Sequence, residues 1–192
     1  RPRSDITELL YHCTWDRVGA PQPTSTFVDE PCHWLVVGDV PGQITQELEG
    51  PGQTHSVIDC RTAEMDGSIR DTVRHALADV PPSLPVRILF FSGIDEIPSG
   101  PEYADALPSD VLGACQLLVD LIQSANTIPR SPTTRIWTIT RGACHTDARQ
   151  PPSTPHQLAR AGLWGLGRTF ATEHPEFFGG LIDLAPGGSA EE

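Results

Sequence analysis

Lysine is absent from this 192-residue chain, and all 13 basic residues are arginine. That absence removes a Schiff-base lysine, a phosphate-loop lysine and any lysine-assisted hydride transfer. Positive charge is scarce as well, with 25 acidic residues against 13 basic and a formal charge of −12. A surface of this sign repels phosphodiester backbones and anionic bilayers, which recruit basic patches, so neither nucleic acid nor membrane is expected as a partner. No apolar run approaches the ~20 residues of a membrane span. Arg1-Pro2-Arg3 leads into Ser4-Asp5 rather than into the apolar stretch of a signal peptide. The five cysteines, Cys13, Cys32, Cys60, Cys115 and Cys144, are odd in number and scattered, which predicts a reduced, cytoplasmic setting.

What is present is enough for a core. Apolar residues make up 38% of the chain, and a single domain of this length buries roughly 70% of its unfolded surface without staples. The chain opens without methionine and closes on Ala185-Pro186-Gly187-Gly188-Ser189-Ala190-Glu191-Glu192, which reads as a piece of something longer. Residues 1–31 read as an N-terminal strand and linker, 32–184 as the folded domain, and 185–192 as a C-terminal linker.

Strand signals recur along the chain. Leu9-Leu10-Tyr11-His12-Cys13-Thr14-Trp15 has the composition of a short strand, and a Pro/Ser/Thr-rich linker follows over 19–31. Trp34-Leu35-Val36-Val37-Gly38 is a continuous apolar run, as expected of a strand buried on both faces. Further strands are predicted at His55–Cys60, Val86–Phe91, Arg135–Thr140 and Leu181–Leu184. Between them lie helical patterns. Ile69, Val73, Ala76, Leu77 and Val80 form an amphipathic stripe that Pro81-Pro82 stops. Ser109 caps an apolar helix over 110–124, and Pro155 opens a helix to Glu173. Strand–helix alternation predicts an open Rossmann-like α/β fold. Its mostly parallel sheet carries helices on both faces, with the N-terminal strand as an antiparallel addition.

That fold raises the question of a cofactor. A dinucleotide site needs Gly-x-Gly-x-x-Gly where the first strand turns into its helix, so that backbone can approach the pyrophosphate. Here the turn reads Gly38-Asp39-Val40-Pro41-Gly42-Gln43, with Val40 and Gln43 at the second and third fingerprint positions. Pro41 removes one N–H from any anion cradle, and the stretch from Gly42 to Gly50 allows only two helical turns. Asp59 lies where a ribose-binding acid would sit, but an acid closing a second strand is common. The Gly-x-Gly of Gly165-Leu166-Gly167 falls inside a predicted helix, where the glycines suit close packing instead. Short-chain reductases pair Tyr-x-x-x-Lys; the two tyrosines here give Tyr11 with Trp15 and Tyr103 with Leu107. No cofactor and no catalytic residue is therefore expected.

Other constellations are weak. Ser92, at the end of Phe90-Phe91-Ser92-Gly93, is not in a nucleophile elbow. Cys144-His145 are sequence neighbours, which rarely face each other as nucleophile and base. Cys32-His33 and His12-Cys13 fit no metal spacing, so no metal is expected. The acids Asp95, Glu96, Asp105 and Asp110 are spread as a solvated surface, and the four tryptophans lie in apolar, packing contexts.

Leu163-Trp164-Gly165-Leu166-Gly167-Arg168-Thr169-Phe170, then Glu173-His174-Pro175-Glu176, then Gly179-Gly180-Leu181-Ile182-Asp183-Leu184, resembles the end of the structural subdomain of modular type I polyketide synthase ketoreductases. Arg135-Ile136-Trp137-Thr138-Ile139-Thr140-Arg141-Gly142-Ala143 resembles that family's Leu-Trp-x-Val-Thr-Arg-Gly-Ala strand, and Tyr11–Trp15 its opening strand. The ordered matches cover nearly the whole chain. The resemblance implies a truncated Rossmann-like fold of the short-chain dehydrogenase/reductase type, a structural or pseudo-ketoreductase half that binds no NADPH, with the catalytic Ser, Tyr, Lys and Asn in a second half beginning after about Leu184. It implies a non-catalytic role bracing neighbouring dehydratase, methyltransferase, enoylreductase or ketoreductase domains during polyketide biosynthesis, with an acyl carrier protein as an indirect partner. The helix from His156 to Glu173 is the candidate packing surface, with Trp164, Gly165, Gly167, Arg168 and His174, and with Gly162, as its marked residues. The alternatives are an NADPH-dependent ketoreductase and a Rossmann module that binds a small molecule.

Overall fold

The structure, a computed structural model, describes residues 16, 18–19, 30–60, 68–93, 107–127, 134–144 and 155–185. In chain order the elements are β1 (Cys32–Gly38), α1 (Ile44–Glu47), β2 (Gln53–Asp59), α2 (Ile69–Ala76), β3 (Val86–Phe91), α3 (Leu107–Thr127), β4 (Arg135–Arg141), α4 (Pro155–Glu173) and β5 (Phe178–Leu184). The strands form one five-stranded sheet in the order β2-β1-β3-β4-β5, and every neighbouring pair is parallel. This is the order left when a Rossmann sheet loses its outermost strand on the β2 side. The strand read at 9–15 and most of the linker lie outside the described residues.

Handedness decides which side each helix takes. The β1-to-β2 connection steps one way across the sheet and the three later connections step the other way. Because parallel crossovers are right-handed, the first helix and the later three fall on opposite faces. The packing follows this division. On the first face Leu35, Val37, Ile58, Ile88, Phe90 and Ile136 meet Ile69 and Val73 of α2, Leu118, Leu121 and Ile122 of α3, and Leu163 and Phe170 of α4. Each such side chain, fully buried, contributes about 1.5–3 kcal/mol, so this layer dominates the hydrophobic stabilisation. On the second face Val36, Phe91 and Ile139 pack with Val40 and with Ile44 and Leu48, in and just after the single turn of α1.

Local chemistry sets the element ends. β1 begins two residues before the apolar run because Cys32 and His33 bond across to β2. The Cys32 thiol donates to Gln53 Oε1 at 2.8 Å, and His33 Nδ1 lies 2.8 Å from Thr54 Oγ1. Ser68 caps α2 by accepting from the Arg70 N–H, and α2 stops at Ala76, with Leu77 to Val80 in tight turns before the prolines. β5 starts at Phe178 rather than Leu181, since Gly179 and Gly180 still pair beside β4. A Cβ on Gly179 would lie 2.5 Å from Trp137 Cδ2, so only glycine fits there. β3 and α4 occupy the ranges read from the sequence, and α3 runs three residues further at each end.

Candidate functional site: the crevice at the carboxyl ends of the strands

Ligands of open α/β sheets bind beyond the carboxyl ends of the strands, where neighbouring connections run in opposite directions. In this sheet that point lies between β1 and β3. Gly38 closes β1 with φ +105°, and a Cβ there would overlap the Phe91 carbonyl oxygen, so the turn is pressed against the end of β3. The Gly38 carbonyl accepts from the Cys60 N–H at 3.0 Å, and the Asp39 N–H donates to the Phe91 carbonyl at 3.0 Å. The Asp39 carboxylate then reaches across the crevice, where Oδ2 accepts from the Gly93 N–H at 2.7 Å. The backbone amide that could cradle a phosphate therefore already holds an anion, one supplied by the chain itself.

An arginine backs this contact. A Cβ on Gly93 would lie 2.5 Å from Arg160 Nε, so the α4 guanidinium sits directly against the β3 turn. Arg160 Nη1 donates to the Arg141 carbonyl at 2.6 Å. Burial pulls the Arg160 pKa below the ordinary arginine value, and the carboxylates of Asp183 and Asp39 oppose that shift. Asp183, on β5, gathers the turn after β4. Its Oδ1 accepts from Thr140 Oγ1 at 2.7 Å and from the Ala143 N–H at 2.9 Å, and its Oδ2 accepts from the Cys144 N–H at 2.8 Å. The Trp164 indole N–H completes the chain by donating to Thr140 Oγ1 at 2.8 Å. The result is a polar network joining the ends of β1, β3, β4 and β5 to α4, with its carboxylates bonded to backbone and hydroxyl groups of the same chain. Networks satisfied in this way rigidify the loops they join.

The reactive side chains follow suit. Burial, with help from Asp183 and against Arg168, pushes the Cys144 thiol up to about 11. At neutral pH it is a thiol rather than the thiolate a nucleophile requires. His145 lies outside the described residues. Ser92 is a strand-end residue whose N–H donates to the Ile139 carbonyl. Asp59 ends β2 opposite Gly38 and is half-buried. Among the described residues no cluster of three His, Cys, Asp or Glu is placed to hold a metal, and no helix is long and apolar enough to cross a membrane.

The residues marked on α4 divide into two groups. Trp164 and Gly167 face inward; a Cβ on Gly167 would lie 2.5 Å from Leu181 Cδ2. His174 terminates the helix, its N–H bonded to the Phe170 carbonyl and its ring 6.2 Å from that of Phe170. Gly165 and Arg168 are exposed, and Gly165 has open space where a Cβ would go. Arg160, Asp39 and Asp183 were not marked by sequence reasoning as functional. Asp39 was visible only as the residue after Gly38, and no local pattern ties it to Gly93 or to Arg160.

An open, all-parallel five-stranded sheet with this strand order defines a Rossmann-like domain. The chain belongs to the family described as the Rossmann fold domain of the polyketide synthase extender module SpnB, which it matches over residues 13–192. It is 30% identical over 184 residues to the 5-methyl-1-naphthoate synthase of Streptomyces sahachiroi, covering 93% of this chain and 8% of that protein. It is 25% identical over 184 residues to a phenolphthiocerol/phthiocerol polyketide synthase of Mycobacterium tuberculosis, covering 94% of this chain and 8% of that protein. A 49-residue stretch, 26% of this chain and 3% of the relative, is 47% identical to the pikromycin polyketide synthase component PikAIII of Streptomyces venezuelae. The chain thus spans about 8% of the length of the first two relatives.

Proposed function

We propose that this chain is a non-catalytic domain of a polyketide synthase, a structural or pseudo-ketoreductase half that braces neighbouring processing domains in the same polypeptide. Those neighbours would be a dehydratase, methyltransferase, enoylreductase or ketoreductase catalytic half, with an acyl carrier protein served indirectly. The observation that carries the reading is the Asp39 carboxylate bonded to the Gly93 N–H at the switch point. A nucleotide phosphate arriving there meets a negative charge in a partly desolvated crevice, where repulsion is felt more strongly than in water. The lack of lysine anywhere in the chain supports the same reading, since a reductase of this fold relies on lysine beside its tyrosine. Cys32, Cys60, Cys115 and Cys144 are free thiols, in keeping with a cytoplasmic location. The folded unit we assign is 32–184, between an N-terminal strand-and-linker segment, 1–31, and a C-terminal linker, 185–192. Titration with NADPH, followed by nicotinamide fluorescence, tests the reading. The expected result is no saturable binding; a dissociation constant in the micromolar range would favour the reductase alternative and overturn it.

A further inference from the structure

The ends of a folded unit fray unless something ties them down. In this sheet the backbone is tied both where it enters β1 and where it leaves β5. Before β1 the Glu30 carbonyl accepts from Gln53 Nε2 at 2.9 Å, and after β5 the Ala185 carbonyl accepts from Arg141 Nη1 at 3.2 Å. Each tie reaches a carbonyl just outside a strand, and each carbonyl belongs to a residue that precedes a proline, Pro31 in one case and Pro186 in the other. A residue before proline is confined largely to extended backbone. Holding its carbonyl therefore sets the direction in which the chain arrives or departs.

Both donors are themselves held. Gln53 Oε1 accepts from Cys32 Sγ at 2.8 Å and from the Trp34 indole N–H at 3.0 Å. With its oxygen engaged by two donors the amide keeps one orientation, and its nitrogen points at Glu30. The Pro31 ring rests on Gly52, where a Cβ would lie 3.1 Å from Pro31 Cγ. At the other end the Leu184 carbonyl accepts from the Gly142 N–H at 2.9 Å, and the Arg141 carbonyl accepts from Arg160 Nη1 at 2.6 Å, which fastens the backbone carrying Arg141 to α4. Register gives the span between the two ties. Trp34, Arg87 and Arg135 stand level across β1, β3 and β4. Cys32 lies two residues below that level, and Leu184, level with Arg141, lies six above it. β1 and β5 are three strand spacings apart. At about 3.3 Å per residue and about 4.8 Å per strand, entry and exit are separated by about 30 Å.

We propose that Gln53 and Arg141 are positioning residues, the two joints that make this domain a rigid spacer: they fix the directions of the chain at Glu30 and Ala185, on opposite ends of the sheet. The proposal rests on the bracing role and specifies how the brace holds its neighbours apart. A domain strung between free linkers leaves its neighbours to wander over a distance set by linker length. A domain whose entry and exit are bonded to its own sheet passes its orientation on to the segments at either side.

The test places spin labels at positions 30 and 185 of the 192-residue chain, on an encoded azide-bearing residue that leaves the native cysteines alone. Glu30 and Ala185 are exposed and enter the ties through their carbonyls only. Double electron–electron resonance reads the distance between the labels. With both joints intact a single narrow distribution is expected; a broad one would overturn the proposal. Gln53→Glu keeps an oxygen for Cys32 and Trp34 but loses the donor to Glu30, and Arg141→Met loses the donor to Ala185. Each is expected to widen the distribution at least twofold, while a second label pair at the exposed positions Ala78 and Thr169, spanning neither joint, keeps its width. Unchanged widths between 30 and 185 in both variants would overturn the assignment. Widening of the second pair as well would place the change in the sheet rather than at its joints and overturn it likewise. The NADPH titration is read independently. A broad distribution with no NADPH binding removes the joints and leaves the bracing role standing, whereas micromolar NADPH binding removes the role itself.

Discussion

Cys144 and Asp183 show how single side chains at the crevice hold one another. The Asp183 carboxylate accepts three hydrogen bonds and at the same time raises the Cys144 pKa, adding to burial, so that the thiol titrates near 11 instead of the usual 9.0. A pKa raised by folding means that the native state favours the neutral thiol. Its contribution to stability is complete below pH 9 and is lost as pH climbs through 11. Burial pushes the Cys32, Cys60 and Cys115 thiols in the same direction. Urea denaturation is therefore expected to show a falling midpoint from pH 9 to 11, and Cys144→Ser is expected to flatten part of that limb. Iodoacetamide labelling of Cys144 at pH 8 should run about 100-fold slower than for a thiol at 9.0, by the ratio of thiolate present. Asp183→Asn should speed that labelling and cost about 2 kcal/mol of stability, because an amide cannot accept at both former oxygens. None of this was legible in the sequence. Asp183 stands out there as one polar residue in Gly-Gly-Leu-Ile-Asp-Leu, and its partners lie about 40 positions away.

At the scale of elements the sequence carried much more. β3 and α4 have the ranges their patterns predict, because an apolar run between Pro85 and Ser92-Gly93 and a long run opened by Pro155 are both local signals. The starts of β1 and β5 were missed for a common reason. Cys32-His33 and Phe178-Gly179-Gly180 become strand through partners on β2 and β4, and glycine in particular disguises a strand whose purpose is to admit Trp137. The same limit applies to α4, where two glycines two positions apart read alike but do different work. Gly165 faces open space and Gly167 faces Leu181. Gly165→Ala is expected to stabilise the chain by about 0.5–1 kcal/mol through helix propensity alone. Gly167→Ala should destabilise it by about 1–3 kcal/mol, since the added methyl must displace a packed leucine. Thermal or urea melts of the two variants check both signs. Equal effects would mean that α4 sits on β5 differently.

For the molecule as a whole, charge and layering are the quantities that matter. With 25 acidic residues and 13 arginines the folded chain repels itself, and the isolated ion pair of Arg74 with Asp71 on α2 is exposed and offsets little. Raising salt from 10 to 300 mM should shorten the screening length from about 30 to about 6 Å and is expected to raise the urea midpoint modestly. A fall would locate the dominant electrostatics in attractive networks such as the one around Arg160. The layering was read correctly as an α/β sheet with helices on two faces. How unequally the faces are served emerges only from strand order, because crossover direction is not written in any local pattern. Strand order also explains the crevice. Asp39 acts there as a built-in counter-ion: it occupies the gap with the same sign of charge a ligand's phosphate would bring, and the Gly93 amide and Arg160 guanidinium answer it. Take that one carboxylate away and the Gly93 amide and the Arg160 guanidinium would be left as positive groups with no carboxylate between them, so the sign of charge at this corner is decided by the side chain at position 39.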